Sequence, residues 1–283
     1  MDYSLNRILT VPNWSFYGLG LTKDAESLVI GRGLTAHYFQ GDLDHQRTVT
    51  AFSGSQSLVF DTLLALADLI LPYIDLELQL GVHPRVGALD VAPFVLLEGS
   101  ESDLIEKTCI WASIFSNRFD VPVHLYEKAA KPKREHRLPY LRGQHGDLNL
   151  APDFGKLANP KWGKTIVGVR NFLLAANLNL STDDIAPIRS VAKEMRLQRE
   201  KGLPALRGVR ALAFQLKSRN MTQLSLNFTE PDHTSFDAVF ELAVNSLLSH
   251  GTTVCETELI GVIRPQDLEA ATHLTFEPSQ VVR

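Results

Sequence analysis

The order of apolar patterns along this chain restricts its fold more than any other feature of the sequence. Each half of the chain gives the order strand, helix, two strands, helix, strand. That order is typical of a split ferredoxin-like unit, in which the helices pack on one face of a sheet. We therefore predict the α/β (α+β) class, with two ferredoxin-like βαββαβ subdomains at residues 1–180 and 181–283. We also predict a cleft between them, where ligands commonly bind.

The individual elements follow from apolar spacing and from the turn residues between them. In the first half the pattern indicates strands at 7–11, 36–40, 47–52, 88–97 and 121–126, and helices at 24–33, 57–70 and 101–118. Later it indicates strands at 165–180, 209–216, 223–229 and 254–263, and helices beginning near 184, near 236 and at 266–274. Two pairs are spaced as helix caps, Ser100 with Asp103 and Ser181 with Asp184.

Residues 127–165 show no regular pattern. The stretch holds glycines, many charges and the prolines Pro132, Pro139, Pro152 and Pro160. An unpatterned stretch of this length in a compact protein is usually functional or disordered. Its basic beginning, KPKREHR at 131–137, either attracts the acidic tail of a ligand or is a solvated surface.

Composition excludes several classes of function. A net charge of -4 over 283 residues gives no basic surface for nucleic acid. The first residues lack the apolar run of a signal peptide, and we expect the longest apolar stretches to be too short to span a membrane. Cys109 and Cys255 lie in apolar sequence and are predicted to be buried free thiols, which suits a reducing compartment. We expect a soluble, cytoplasmic protein.

The stretch GVHPRVGALDVAPF, residues 81–94, places an ionisable imidazole just before a core strand. Pro84 has a fixed φ and favours an extended conformation at His83. Gly81 and Gly87 permit sharp turns on either side. A histidine held in this way is suited to move protons near neutral pH. A surface histidine or a hydrogen-bonded core histidine would give the same pattern.

This stretch resembles the GEHPRxGAxDVxPF motif of the glutamate formimidoyltransferases, also called formiminotransferases. Similar segments follow in the family's order along nearly the whole chain. They are VPN (11–13), DHQRTVTAFSG (44–54), VPVHLYEKAA (121–130), LPYLRGQ (138–144), APDFG (151–155), NPKWG (159–163) and VGVRNFLLAANLNL (167–180). Two less specific segments in the second half are LSLNFTEPDHTSFDAVFE and ETELIGVIRP.

The resemblance implies a folate-dependent reaction. Family members transfer a formimidoyl group from N-formimidoyl-L-glutamate to N5 of tetrahydrofolate in histidine degradation, with folate between two ferredoxin-like subdomains. The family's catalytic residues correspond to His83, as general acid and base, and Arg85. The folate-binding residues implied by the resemblance are Asn13, Gln40, Arg47, Gly155, Pro160, Trp162, Gly163, Lys164 and Arg170. Trp162 either stacks on the pterin or anchors its loop by packing.

The resemblance also implies ligands and partners. Tetrahydrofolate is the co-substrate and no metal is required. The partners are small-molecule substrates, with no nucleic acid and no membrane, and a homodimer is compatible with this. Bifunctional members carry a cyclodeaminase domain after this one; since the sequence ends at Arg283, we expect a divergent member without it. Asp42, Asp44 and His45 form a weak metal candidate, for which a solvated turn is the alternative.

Several acidic residues of the family are missing or displaced in this chain. The changed positions are Phe16, Gln40, Val82, Gln144 and the pair Glu127-Lys128. Carboxylates in such a site stabilise positive charge that develops on the amidine. We therefore expect slow formimidoyl transfer unless Asp42, Asp44 or Asp90 takes over the role. The alternatives are formyl transfer from a different donor, a folate-binding paralogue with little activity, and a structural or regulatory partner.

Overall fold

The chain divides into two compact units, Met1–Arg170 and Asn171–Arg283. The coordinates are a computed structural model, which describes residues 6–131, 137–143, 150–156 and 159–283. The boundary predicted at 180 lies later than this division, because the strand that ends there belongs to the second unit. The cleft predicted between the subdomains stays a prediction.

The first unit contains one mixed sheet with helices. Its described strands are β1 (Arg7–Thr10), β2 (Asn13–Trp14), β3 (Thr35–Asp42), β4 (Arg47–Ser55), β5 (Leu89–Glu98), β6 (Val123–Glu127) and β7 (Thr165–Val169). Its described helices are α1 (Leu19–Gly31), α2 (Gln56–Ile70), α3 (Glu101–Phe119) and the short α4 (Leu138–Leu141), with 3-10 turns at Leu71–Tyr73 and Leu76–Leu78.

The core of this sheet has the predicted ferredoxin-like order. β3 pairs with β4, and β1 and β2 lie between β4 and β5, all antiparallel. Pro12 interrupts the first strand because it has no backbone N–H, and its carbonyl still accepts a bond from Thr50 N at 3.1 Å. Beyond β5, the strands β7 and β6 extend the sheet in parallel. The unit is therefore a ferredoxin-like core with a parallel extension.

The second unit is a complete βαββαβ arrangement. Its described elements are β8 (Leu174–Leu180), α5 (Ala186–Glu200), β9 (Val209–Leu216), β10 (Met221–Phe228), α6 (Phe236–Ser249) and β11 (Val254–Ile260), with 3-10 turns at Pro204–Leu206, Pro265–Ala270 and Pro278–Gln280. The strand order β11-β8-β10-β9 is antiparallel throughout. This confirms the predicted fold class of two α/β units.

Four local predictions were wrong. The strand predicted at 165–180 is two strands, β7 and β8, in different sheets. The apolar sequence continues through Phe172, which is buried, so periodicity gives no sign of the break. The helix predicted at 266–274 is the 3-10 turn Pro265–Ala270. Ile185, not Ser181, is the cap residue of α5, although Asp184 Oδ1 accepts from Ala186 N at 2.9 Å. Cys255 is a free thiol but is exposed, whereas Cys109 is partly buried.

The Ser100 cap of α3 is confirmed. Its hydroxyl accepts a hydrogen bond from Asp103 N at 3.4 Å. The helix ends at Asp120, whose left-handed backbone conformation closes the last turn. α3 is thereby held with its apolar face against the sheet of the first unit.

Residues 56–73 are long and apolar enough to cross a membrane when judged by length and composition alone, as the core helix of a soluble protein can also be. The helix inside this stretch, α2, buries Phe60, Leu63 and Leu66 in the core of the first unit.

Aromatic side chains form the centre of that core. Phe94 on β5 meets Phe60 edge to face at 4.8 Å between ring centroids and Trp111 at 5.5 Å. The indole of Trp111 donates to the Phe60 carbonyl at 3.0 Å, so its polar atom is satisfied. These contacts join α2 and α3 to β5. This strand follows residues 79–88, which are called the His83 loop below.

We predict that Phe94→Ala lowers the free energy of unfolding by about 3–5 kcal/mol, because it removes a large side chain with no exposed surface and leaves a cavity. Ile114→Ala on the exposed face of α3 is the control and should change stability by less than about 0.5 kcal/mol. Urea unfolding of both variants measures the difference. Equal losses would contradict this description of the core.

Candidate active site

Arg85 ties the His83 loop to the turn between β3 and β4. Its Nη1 donates to Gln46 O at 2.9 Å and to Gln79 Oε1 at 3.0 Å. Its Nη2 donates to His45 O, and its Nε donates to His83 O at 3.3 Å. Arg85 was expected to be catalytic. That role stays a prediction, and these contacts direct its guanidinium into the two loops.

The turn between β3 and β4 is itself fixed by side chains. Asp42 Oδ1 accepts from His45 N at 2.8 Å, and Gln46 has a left-handed φ of 43°. Gln46 Oε1 accepts from Leu80 N at 2.8 Å and from Gly81 N at 3.1 Å. Asp42 therefore caps a turn that is joined to the His83 loop. Among the described residues, no group of three or more His, Cys, Asp or Glu side chains is placed to hold a metal.

Gly81 and Gly87 lie so close to backbone atoms of other segments that neither position has room for a side chain. A Cβ on Gly81 would lie 2.2 Å from His45 O, and one on Gly87 would lie 2.0 Å from Lys164 O. Neither residue has the positive φ that marks a left-handed turn. The close approach of these backbone atoms is therefore the reason that the structure gives for glycine at both positions.

His83 is held by its own loop and is only partly buried. Its Nδ1 lies 2.8 Å from Pro84 O, and its ring meets that of His45 edge to face at 5.7 Å between centroids. Because a carbonyl only accepts, Nδ1 carries the proton and Nε2 is the basic nitrogen of the neutral ring. Desolvation, followed by the charges of Arg47 and Arg142, holds the pKa of His83 well below its ordinary value. The imidazole is therefore neutral near pH 7.

Asp90 is the fully buried anion of the site. Its Oδ2 accepts from Arg47 Nη2 at 2.8 Å and from Arg142 Nη2, and its Oδ1 accepts from Val86 N at 2.7 Å. The two guanidinium charges hold the pKa of Asp90 far below its usual range, against the opposing effect of burial. Both oxygens of Asp90 are thus engaged by these donors, and its taking over the role of the missing family acids stays a prediction.

Arg47 joins Asp90 to the first strand. Its Nε donates to Asn13 Oδ1 at 3.1 Å, and burial lowers the pKa of Arg47 to about 10. Asn13 and Arg47, two of the predicted folate-binding residues, are thus brought together with Asp90.

Arg142 reaches Asp90 from the end of α4. Leu141 anchors this short helix by packing against Val91, Tyr126 and Ile166. The helix has a proline in its first turn and ends before Gly143, which has a left-handed φ of 74°. The packing of Leu141 therefore positions the guanidinium of the next residue.

Part of the predicted folate segment lies against the His83 loop. Ala88 N donates to Trp162 O at 2.9 Å, and Lys164 N donates to Val86 O at 2.9 Å. Gly87 and Gly163 also form a bridge. Residues 162–164 are therefore next to the loop that carries His83, while Pro160 lies in the exposed turn that precedes them.

Trp162 has contacts typical of a packing anchor. Its indole Nε1 donates to Ile74 O at 3.2 Å, and its ring packs against the core of the first unit. Lys161 Nζ lies 5.8 Å from the ring centroid. Of the two roles considered from sequence, these contacts favour the anchor.

The remaining predicted residues lie at different places. Gly155, with a φ of 84°, approaches Ser116 and Pro122, and Gln40 is exposed on β3. Arg170 is hydrogen-bonded to Tyr126, whose pKa burial raises to about 12. Arg142 also acts on this tyrosine.

The residues that stand in place of the missing family acids lie in different surroundings. Phe16 is buried in the core, and Val82 is 42% exposed beside His83. Lys128 pairs with Glu101 at the surface. Gln144 and most of the basic run, residues 132–136, lie outside the described residues.

Sequence reasoning missed three contributions to this site. Arg142 and the pair Gln46 and Gln79 were not assigned any role. The only sequence signal for Arg142 is its place between a short apolar helix and a glycine in LPYLRG. That signal does not indicate which carboxylate the arginine meets.

Two domain models match the chain. The model described as the formiminotransferase domain, N-terminal subdomain, covers residues 23–170, and the formiminotransferase domain covers residues 175–281. Glutamate formimidoyltransferase of Thermoplasma acidophilum is 31% identical over 242 residues, which is 80% of this chain and 77% of that protein. The protein of the same name from Streptococcus pyogenes serotype M1 is 28% identical over 253 residues, 86% of this chain and 82% of that one.

Longer relatives match over part of their length. The formimidoyltransferase-cyclodeaminase of Sus scrofa is 34% identical over 230 residues, which is 77% of this chain but 42% of that protein. The chain thus spans less than half of this bifunctional relative.

We predict that Asp90→Asn lowers the free energy of unfolding by about 3–5 kcal/mol at pH 7, because it leaves two buried guanidinium groups without their carboxylate. The pKa of Asp90 is lowered by folding from an ordinary value of 3.8. Its contribution is therefore complete above pH 3.8 and is lost as pH falls further toward the folded-state pKa.

Urea unfolding of both proteins across this pH range measures the effect. The difference between wild type and Asp90→Asn should shrink only below about pH 4. A difference that is small at pH 7 would contradict the role of Asp90.

Proposed function

Because the chain belongs to the formiminotransferase family, we propose that it is a folate-dependent formimidoyltransferase, moving a formimidoyl group from N-formimidoyl-L-glutamate to N5 of tetrahydrofolate. The observation that carries the proposal is the state of His83. Its ring is held by Pro84 O through Nδ1 and is neutral near pH 7, so Nε2 is ready to accept a proton.

In the proposed reaction, N5 of tetrahydrofolate attacks the amidine carbon and forms a new C–N bond. His83 Nε2 takes the proton that N5 loses. The C–N bond to the glutamate nitrogen then breaks, and His83 returns the proton to that leaving nitrogen. One imidazole serves as base and then as acid, so no net proton is gained or lost by the enzyme.

Arg85 is proposed as a positioning residue in this scheme. It bonds to the carbonyls of His45, Gln46 and His83, which fixes the loop on which the imidazole is carried. A catalytic base loses efficiency when its geometry relaxes by about 1 Å. The role of Arg85 is therefore exerted through His83.

Two sets of contacts support the proposed folate-binding residues. Trp162, Gly163 and Lys164 lie in the segment bonded to the His83 loop, and Pro160 precedes them. Asn13 and Arg47 form one hydrogen-bonded pair at Asp90. Gly155, Gln40 and Arg170 are carried over on family resemblance alone.

A second candidate reaction is formyl transfer. Two guanidinium groups share one carboxylate beside His83, and the neighbouring Val82 is neutral. Formyl transfer places negative charge on the attacked oxygen, which such a site stabilises, whereas formimidoyl transfer develops positive charge. The third candidate, a folate-binding paralogue with little activity, would bind folate and transfer neither group.

We predict that His83→Ala lowers kcat for the preferred donor by about 10²–10⁴-fold, because it removes the proton carrier. Its affinity for folinate and its melting temperature should remain near those of the wild type. The matched control is His250→Ala, an exposed histidine at the end of α6, which should leave kcat unchanged.

Calorimetry with folinate and a turnover assay with formimidoylglutamate on the same preparations supply the data. Near-normal turnover by His83→Ala would remove this residue from the mechanism. Absence of folinate binding at millimolar concentration would exclude the folate assignment.

We predict that Val82→Glu together with Gln40→Asp raises kcat for formimidoyl transfer, because a carboxylate near His83 stabilises the developing amidinium. The increase should be about tenfold or more, and formyl transfer should rise less. The control is Gln40→Asp alone, since Gln40 is exposed on β3.

The measurement is kcat for a formimidoyl and a formyl donor on one preparation of each protein. If the unmodified chain already transfers formimidoyl groups rapidly and Val82→Glu adds nothing, the missing acids are irrelevant to its rate.

A further inference from the structure

We infer that Arg47 and Arg142 form a binding site for a substrate carboxylate beside His83. Within the described part of the chain, Arg47 Nη1 and Arg142 Nε are buried and have no hydrogen-bond partner. The side chains themselves are only 7% and 12% exposed. Buried polar groups are nearly always hydrogen-bonded in native proteins, so two unpartnered donors of one cluster point to a ligand.

The cluster consists of Asp90, Arg47, Arg142 and Arg85, and its charges indicate that the ligand is negatively charged. Asp90 is the carboxylate that both guanidinium groups contact, and its second oxygen accepts from Val86 N. Among the described residues, the hydrogen-bond acceptors of Arg85 are backbone carbonyl oxygens and the side-chain amide oxygen of Gln79. The cluster therefore carries more positive than negative charge in a buried place, which an anion would balance.

A carboxylate is the anion that this donor set fits. Guanidinium groups present planar donors that match the two oxygens of a carboxylate. Both substrates of the proposed reaction carry carboxylates. The identification of the bound group as part of the amino-acid donor rests on the proposed function, whereas the anion site does not.

The site is close enough to His83 to act on it. Among the described residues, those that influence this imidazole include Arg47 on β4, Arg142 after α4, the ring of His45 and the Pro84 carbonyl. A bound carboxylate would offset the two arginine charges and raise the pKa of His83. Donor binding would thereby help the imidazole to hold the proton that the leaving nitrogen needs.

The test uses glutarate as the probe and glutaramide as its neutral analogue, at constant ionic strength and without folate. We expect saturable binding of glutarate by calorimetry and none of glutaramide. Arg142→Gln should weaken glutarate binding by about 10–100-fold, as expected for the loss of a charge-assisted hydrogen bond. Arg47→Lys, which keeps a cation for Asp90, should also weaken it.

The matched control is Arg189→Gln, an exposed arginine on α5, whose affinity for glutarate should equal that of the wild type. Titration of the His83 ring by NMR is the second measurement. Its pKa should rise when glutarate saturates the wild type and should not respond in Arg142→Gln.

Several outcomes would overturn the inference: no saturable glutarate binding by the folded wild type, equal binding of glutaramide, or unchanged affinity in both arginine variants. A separate folinate titration distinguishes this failure from that of the proposed function. If glutarate binds and folinate does not, the anion site is supported and the proposed folate-dependent reaction is contradicted.

Discussion

The buried contact of Asp90 with Arg47 and Arg142 is the interaction on which the rest of the candidate site depends. Asp90 lies on β5, Arg47 lies on β4 and Arg142 follows α4. In sequence, Arg47 is 43 positions and Arg142 is 52 positions from Asp90. Buried ion groups of this kind seldom add net stability compared with apolar packing. Here they place positive charge beside His83.

The imidazole is prepared by two separate constraints. Its position comes from hydrogen bonds between side chains and backbone, by which Arg85 and Gln46 join the His83 loop to the turn between β3 and β4. Its protonation comes from burial and from the two arginine charges. In the reaction proposed above, an imidazole held in this way would need little reorganisation, which is a main source of catalysis by preorganised sites.

Much of the architecture was predictable because helices and strands have different apolar periods. The second unit follows the predicted order of elements, and the first follows it up to β5. The break between β7 and β8 was not predictable, because Phe172 continues the apolar run although the chain passes into another sheet. Gly81 shows a different limit: its type was informative, but the steric reason lies in His45 O, far along the chain.

The sequence by itself determined most elements of both units, the Pro84 loop, the choice of His83 as the candidate proton carrier and the family to which the motifs belong. These depend on neighbouring residues, whose sterics and spacing act locally. Only the tertiary structure decided that both oxygens of Asp90 are engaged, that Arg85 contacts the two loops and that Arg142 joins the site. Such contacts join residues distant along the chain, and which groups meet is settled only when the sheet and its loops have packed.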